Sequence, residues 1–163
     1  MTKKYPLLLF ILLLVVLVQE FGFSHLLLLE VFPDAITILL AFIGVLKGQK
    51  SSTSFGFASG LIIGLLSGNF GINMLSRATG GYLAGFFHSP EDSHATEKQK
   101  NKRFYGAVIT SVFFTNAVMV SVYNPLGNPV AYRIITLGLL QALMTSILAF
   151  IVRQLFLRKS FAD

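Results

Sequence analysis

Arg77 makes the heaviest demand on its surroundings of any residue in this chain, because it lies inside the apolar run 71–87. A guanidinium roughly two turns into an apolar helix costs a few kcal/mol or more unless it is paired or reaches water. It therefore marks either a structural ion pair or a contact for a ligand or partner. Asp34 opens an earlier apolar run and is its candidate partner. Glu20, Glu30 and Asp34 lie close together in sequence and read as a solvated rim, or else as a docking point for a cationic segment. His88 and His94 bracket Glu91 and Asp92, but their spacing fits no zinc or calcium pattern, so no metal is expected. The apolar runs contain neither a nucleophile–base set nor paired carboxylates, and the charge within them is a base. No enzyme activity and no cofactor are expected. The absence of cysteine excludes disulfides and thiolate chemistry.

The elements that must position these residues follow from composition. Of 163 residues, 54% are hydrophobic and 12% charged, and the mean hydropathy is +0.72, far more apolar than an ordinary soluble domain. The expected architecture is an all-α polytopic membrane protein, one domain over 1–163 with six transmembrane helices at about 5–23, 34–47, 55–67, 71–87, 104–123 and 131–156. The second and third segments, at about 20 Å, fall short of a hydrocarbon core of about 30 Å. The apolar stretch 25–32 before Pro33 could supply the missing thickness as an interfacial or re-entrant segment. Bases test the count independently. With six spans and the N-terminus inside, eleven of the thirteen fall on the inner side, leaving Arg133 outside and Arg77 within a helix. Both termini are thus expected to be cytoplasmic, and the net charge of +6 reads as a topology signal, not as a nucleic-acid patch. The first run ends in Gln19-Glu20 without a small-x-small cleavage pattern and reads as a retained helix. In the long inner connection, Ser89-Pro90-Glu91-Asp92 is a helix-start pattern that predicts a short cytoplasmic surface helix over about 90–100. The outer loop 124–129 is dense in turn residues.

Glycines supply the packing signal. Gly56, Gly60, Gly64 and Gly68 recur at every fourth position and make one bare strip on a helix, and Gly81 and Gly85 share a face with Arg77 on the next. In water each would cost roughly 1 kcal/mol against alanine. In a bilayer, where lipid tails offer no hydrophobic drive between helices, such strips let backbones approach. The first strip predicts a buried central helix. Asp34, Thr37, Ala41, Gly44 and Gly48 stripe the second helix, and Gly138, Ala142, Thr145 and Ala149 the sixth. Asn116, Gln141 and Ser121 are isolated polar residues of the kind that bond across helices. Leu7 to Val18 contains no small residue, which places the first helix at the periphery against lipid or a partner's helix.

The order of these features resembles the rod shape-determining protein MreD family. Carrying the resemblance are Pro33-Asp34 opening an apolar helix, Gly60-Leu61-Ile62-Ile63-Gly64-Leu65-Leu66, a short turn with Gly71, and Gly81-Tyr82-Leu83-Ala84-Gly85 on the following helix. It covers most of the chain and is strongest from Pro33 to Gly85. Family members often carry an aspartate shortly after the Gly-Leu-Leu, where this chain has Gly68 or Asn69, so a role for that acid does not carry over. The resemblance implies a non-enzymatic scaffold of the bacterial inner membrane. It would bind an MreC-like single-pass protein with a periplasmic coiled coil and, with MreB and the RodA–transpeptidase synthases, help organise peptidoglycan synthesis and cell shape.

A second reading is the substrate-binding subunit of an energy-coupling-factor vitamin transporter, whose six-helix S-component fold the MreD family is thought to resemble. Such subunits usually present small-xxx-small residues on the first helix to their energising partner, and this first helix has none. A vitamin pocket also needs convergent polar and aromatic groups under the outer loops, which here offer little beyond Asn69, Asn73 and the 124–128 turn. Short helices with Arg77 on the outer side would nonetheless suit an anionic ligand.

Overall fold

The computed structural model describes residues 4–22, 31–90, 96–122 and 129–157, and every regular element among them is helical. Six helices follow in order: α1 (Lys4–Phe21), α2 (Ala35–Lys47), α3 (Gln49–Ser67), α4 (Phe70–Ala84, closed by the 3-10 turn Gly85–Phe87), α5 (Glu97–Val122) and α6. The last runs unbroken through Val130–Tyr132, a π-helical stretch Arg133–Leu137, Gly138–Val152 and a second π stretch Arg153–Leu157. α5 and α6 are each long and apolar enough to cross a membrane.

Around an apolar core, many large apolar side chains face outward and several small polar ones are buried. Leu65, Leu75, Phe86, Ile135 and Leu155 are exposed, while Thr37, Ser52, Ser59, Asn73, Ser111 and Thr145 are buried. Buried hydroxyls bridge neighbouring segments through backbone groups or other polar side chains. Ser52 Oγ donates to Leu40 O at 2.7 Å, tying α3 to α2, and Ser111 Oγ donates to Gly80 O at 2.9 Å, tying α5 to α4. Short side chains thus allow close approach and supply interhelical hydrogen bonds together.

The strip Gly56, Gly60 and Gly64 packs against α4, and the strip Gly81 and Gly85 packs back against α3. A Cβ at Gly60 would stand 2.6 Å from Met74 Cα, and one at Gly64 would stand 2.7 Å from Phe70 Cα. At Gly56 it would meet Arg77 O, at Gly81 Ser52 O and at Gly85 Gln49 Cα, all well inside contact distance. The two strips therefore form one interlocked antiparallel seam, bare on α3 in its first half and bare on α4 in its second. Gly68 takes no part. No described residue lies within 4 Å of its open side, and it ends α3 as a left-handed cap with φ of 76°.

Several expectations are corrected. α3 is not the central helix, because Phe57, Leu61, Leu65 and Leu66 leave its far side exposed. That place belongs to α2, which contributes to both apolar clusters: Ile38, Ala41 and Val45 to one, Ile36, Leu40 and Ile43 to the other. α3 also begins at Gln49, six residues earlier than its apolar run. In the polar turn it gains, Thr53 Oγ1 and Ser54 Oγ return to the carbonyls of Gln49 and Lys50 at 2.8 and 2.9 Å, which hides their polarity within the helix. The expected surface helix over 90–100 is described only at its ends. Residues 97–100 are the first turn of α5, which continues without a break into the apolar run, and 91–95 lie outside the described residues. The stretch 25–30 and the turn 124–128 also lie outside them.

α1 touches the bundle through one narrow stripe. Leu12, Val16 and Gln19 are buried, while Leu13, Leu14, Leu17 and Val18 around them are exposed. Its neighbours are α2 and α3.

Candidate functional site: a polar junction at the start of the second helix

α2 begins inside the bundle, where its first N–H groups cannot reach water. Each is met by a side chain. Asp34 is the N-cap, and its Oδ1 accepts from Thr37 N at 3.0 Å. Gln19 Oε1, reaching over from α1, accepts from Ala35 N at 2.7 Å and Ile36 N at 3.3 Å. Asp34 N itself donates to Thr145 Oγ1 of α6 at 3.0 Å. Four helix-initial donors are thereby satisfied by residues from two helices and the connecting segment, as a buried helix end requires.

The other carboxylate oxygen carries the charge pairing. Arg77 Nη1 forms an ion pair with Asp34 Oδ2, and Thr37 Oγ1 donates to the same oxygen at 2.7 Å. Arg77 Nη1 donates in addition to Thr37 Oγ1 at 3.1 Å. The Asp34 side chain is 2% exposed and that of Arg77 12%, so removing either partner would strand a buried charge. Asp34 thus has two separable duties, capping α2 and holding α4.

Arg77 uses a single nitrogen for these contacts. Its Nε and Nη2 make no hydrogen bond to another described residue, and Arg77 lines a cavity of about 230 Å³ between α2, α4, α5 and α6. Arg133, Asn73, Asn116 and Gln141 also line it. Asn116 Nδ2 donates to Gln141 Oε1 at 2.8 Å, joining α5 to α6, while the buried Asn116 Oδ1 has no hydrogen-bond partner among the described residues. Ser121, by contrast, bonds within its own helix, to Ala117 O at 2.7 Å.

The remaining sequence candidates lie elsewhere. His88 Nδ1 sits 3.0 Å from Val45 O and helps fasten the end of α4 to the end of α2. Glu20 is half-buried beside Gln19, and Glu30, Glu91, Asp92 and His94 are outside the described residues. Among the described residues, no group of three or more acidic or histidine side chains is arranged to hold a metal. Gln19 was the residue hardest to foresee. Its signal is positional, since it continues the buried Leu12–Val16 stripe one turn on, where a long amide can cross to a neighbouring helix start.

Compared with models of known protein families and with curated proteins, the chain matches none of them.

Proposed function

We propose that the chain is a multi-pass protein of the bacterial inner membrane with both termini in the cytoplasm, and that it acts as a non-enzymatic scaffold of the MreD type. In this reading it binds an MreC-like single-pass protein and, through it, works with MreB and the RodA–transpeptidase synthases. The observation that carries the reading is α1. A helix anchored along one side through Leu8, Leu12, Val15, Val16 and Gln19, with exposed leucines and valines on its other side, offers a smooth apolar face to another membrane helix. Behind it stands a bundle locked by glycine contacts and a buried ion pair, which suits a docking block that holds its shape.

The vitamin-transporter reading is favoured by one observation, the cavity beside Arg77. Its volume weighs against that reading, since pockets for cofactor-sized ligands usually occupy about 300 Å³ or more. The test is extraction of the tagged protein from its own membranes in mild detergent, followed by mass spectrometry of the eluate. The scaffold reading expects a single-pass coiled-coil protein and wall synthases. Stoichiometric ATPase subunits or a bound vitamin would replace it with the transporter reading.

A further inference from the structure

The first turns of α1 and α3 stand side by side without closing on one another. The buried stripe of α1 begins at Leu12, whereas Pro6 and Leu9 ahead of it are exposed, and between them and α3 lies an open groove of about 600 Å³. Its chemistry changes along its length. On α3, Lys50, Ser51 and Ser54 come first and Phe55 and Ala58 follow, while α1 contributes only apolar carbon through Pro6 and Leu9. The eight-residue step from Lys50 to Ala58 rises about 12 Å, most of the hydrocarbon depth of one leaflet, which is about 15 Å. The polar end is positive. Lys50 forms no ion pair with a described residue, neither residues 1–19 nor residues 35–90 contain Asp or Glu, and the start of α1 adds Lys3 and Lys4 in sequence. Gly48 caps α3 without a side-chain acceptor, so the positive end of the helix adds to the lysine.

We infer that this groove holds an anionic phospholipid, with its phosphate at Lys50 and Ser51 and one acyl chain along Leu9, Phe55 and Ala58. The inference rests on the membrane placement proposed above, with the starts of α1 and α3 in the cytoplasmic leaflet, and is independent of which protein α1 binds. A lipid matches both parts of the groove at once. A soluble anion would leave the apolar wall bare, and an apolar partner helix would leave Lys50 without a counter-charge. The cytoplasmic leaflet supplies anionic lipid, and basic pockets between membrane helices on that side recognise its headgroups.

The test uses the full-length protein in bilayers of mixed phosphatidylcholine and phosphatidylglycerol. The chain has no tryptophan, so Ser54→Trp places a single reporter at the groove, and its quenching by the brominated form of each lipid gives their relative affinity there. One base near the surface corresponds to about a fivefold preference for phosphatidylglycerol. Lys50→Gln in the reporter protein should bring the ratio close to one, while Lys98→Gln, which removes an exposed base of α5 outside the groove, should leave it unchanged. A reporter on the exposed face of α6, Leu143→Trp, should show no preference. Native mass spectrometry of the protein without a reporter gives a second reading: phosphatidylglycerol should stay bound, and Lys50→Gln but not Lys98→Gln should release it. No preference in either measurement, or equal losses in the two lysine variants, overturns the inference. A Ser54→Trp reporter shielded from both lipids overturns it as well and shows a groove filled by protein. Failure of the chain to enter bilayers would refute the membrane placement itself, whereas entry without lipid selectivity refutes this inference alone.

Discussion

Adding one methyl group at Gly60 and the same group at Gly71 should change stability in opposite directions. At Gly60 the new Cβ would stand 2.6 Å from Met74 Cα and 2.7 Å from Asn73 C, and it would also meet Asn73 O. These are backbone atoms of a packed helix and cannot rotate aside. Ordinary carbon contact begins near 3.5 Å, so α3 and α4 would have to separate by about 1 Å. The seam is continuous, and the separation would also loosen the Gly56 contact beneath Arg77 and the Gly81 contact over Ser52. Overpacking of this kind costs typically 1–3 kcal/mol, and loss of the neighbouring contacts puts Gly60→Ala at or above the upper end of that range. Gly71 occupies the first turn of α4 with no described residue within 4 Å of its open side. Gly71→Ala should be neutral or stabilising by up to about 1 kcal/mol, through helix propensity alone. The chain contains no tryptophan, so thermal unfolding in detergent is best followed by circular dichroism, with size-exclusion profiles as a second readout. Equal melting temperatures for the two variants would refute the interlocked seam.

Further substitutions probe the junction. Asp34→Ala should destabilise by about 3–5 kcal/mol, because it strands Arg77 and uncaps α2, and Asp34→Ala combined with Arg77→Met should recover at least about 1 kcal/mol in a double-mutant cycle of denaturation midpoints. Exchanging the charges, Asp34→Arg with Arg77→Asp, should fail to restore stability in the same assay, since an arginine at position 34 cannot accept from Thr37 N; full recovery would mean that the cap is dispensable. Gln19→Leu should cost about 1–3 kcal/mol by leaving Ala35 N and Ile36 N without an acceptor, and faster amide exchange at the start of α2 would be the local signature.

Hydropathy and small-residue spacing are local properties of one chain segment, and the sequence is most legible where those decide the structure. Apolar runs mark the helices, and Pro33-Asp34 marks the start of α2 because a proline followed by a short acceptor is a helix-start signal. The stripes on α3 and α4 were visible separately, but that each fills the bare half of the other depends on the relative register of two helices, which a single stripe does not encode. The early start of α3 was hidden by its serines and threonines, whose hydroxyls fold back onto the helix's own carbonyls. In the junction, the charges of Asp34 and Arg77 announced a need for partners. The parts of Gln19 and Thr145 were not legible, because an amide at the end of an apolar run looks the same whether it faces a headgroup or a neighbouring helix start, and a threonine in a small-residue stripe looks the same whether it packs or accepts a hydrogen bond.

The scaffold account rests on what meets the outer face of α1, and site-specific photocrosslinking in native membranes reads that face directly. A photoreactive residue placed at Leu14 or Val18, both exposed, should capture one single-pass protein bearing an extracytoplasmic coiled coil. The same residue at Leu12 or Val16, both fully buried, should yield only crosslinks within the chain. Capture of ATPase subunits at the exposed positions, or of lipid alone, would contradict the account.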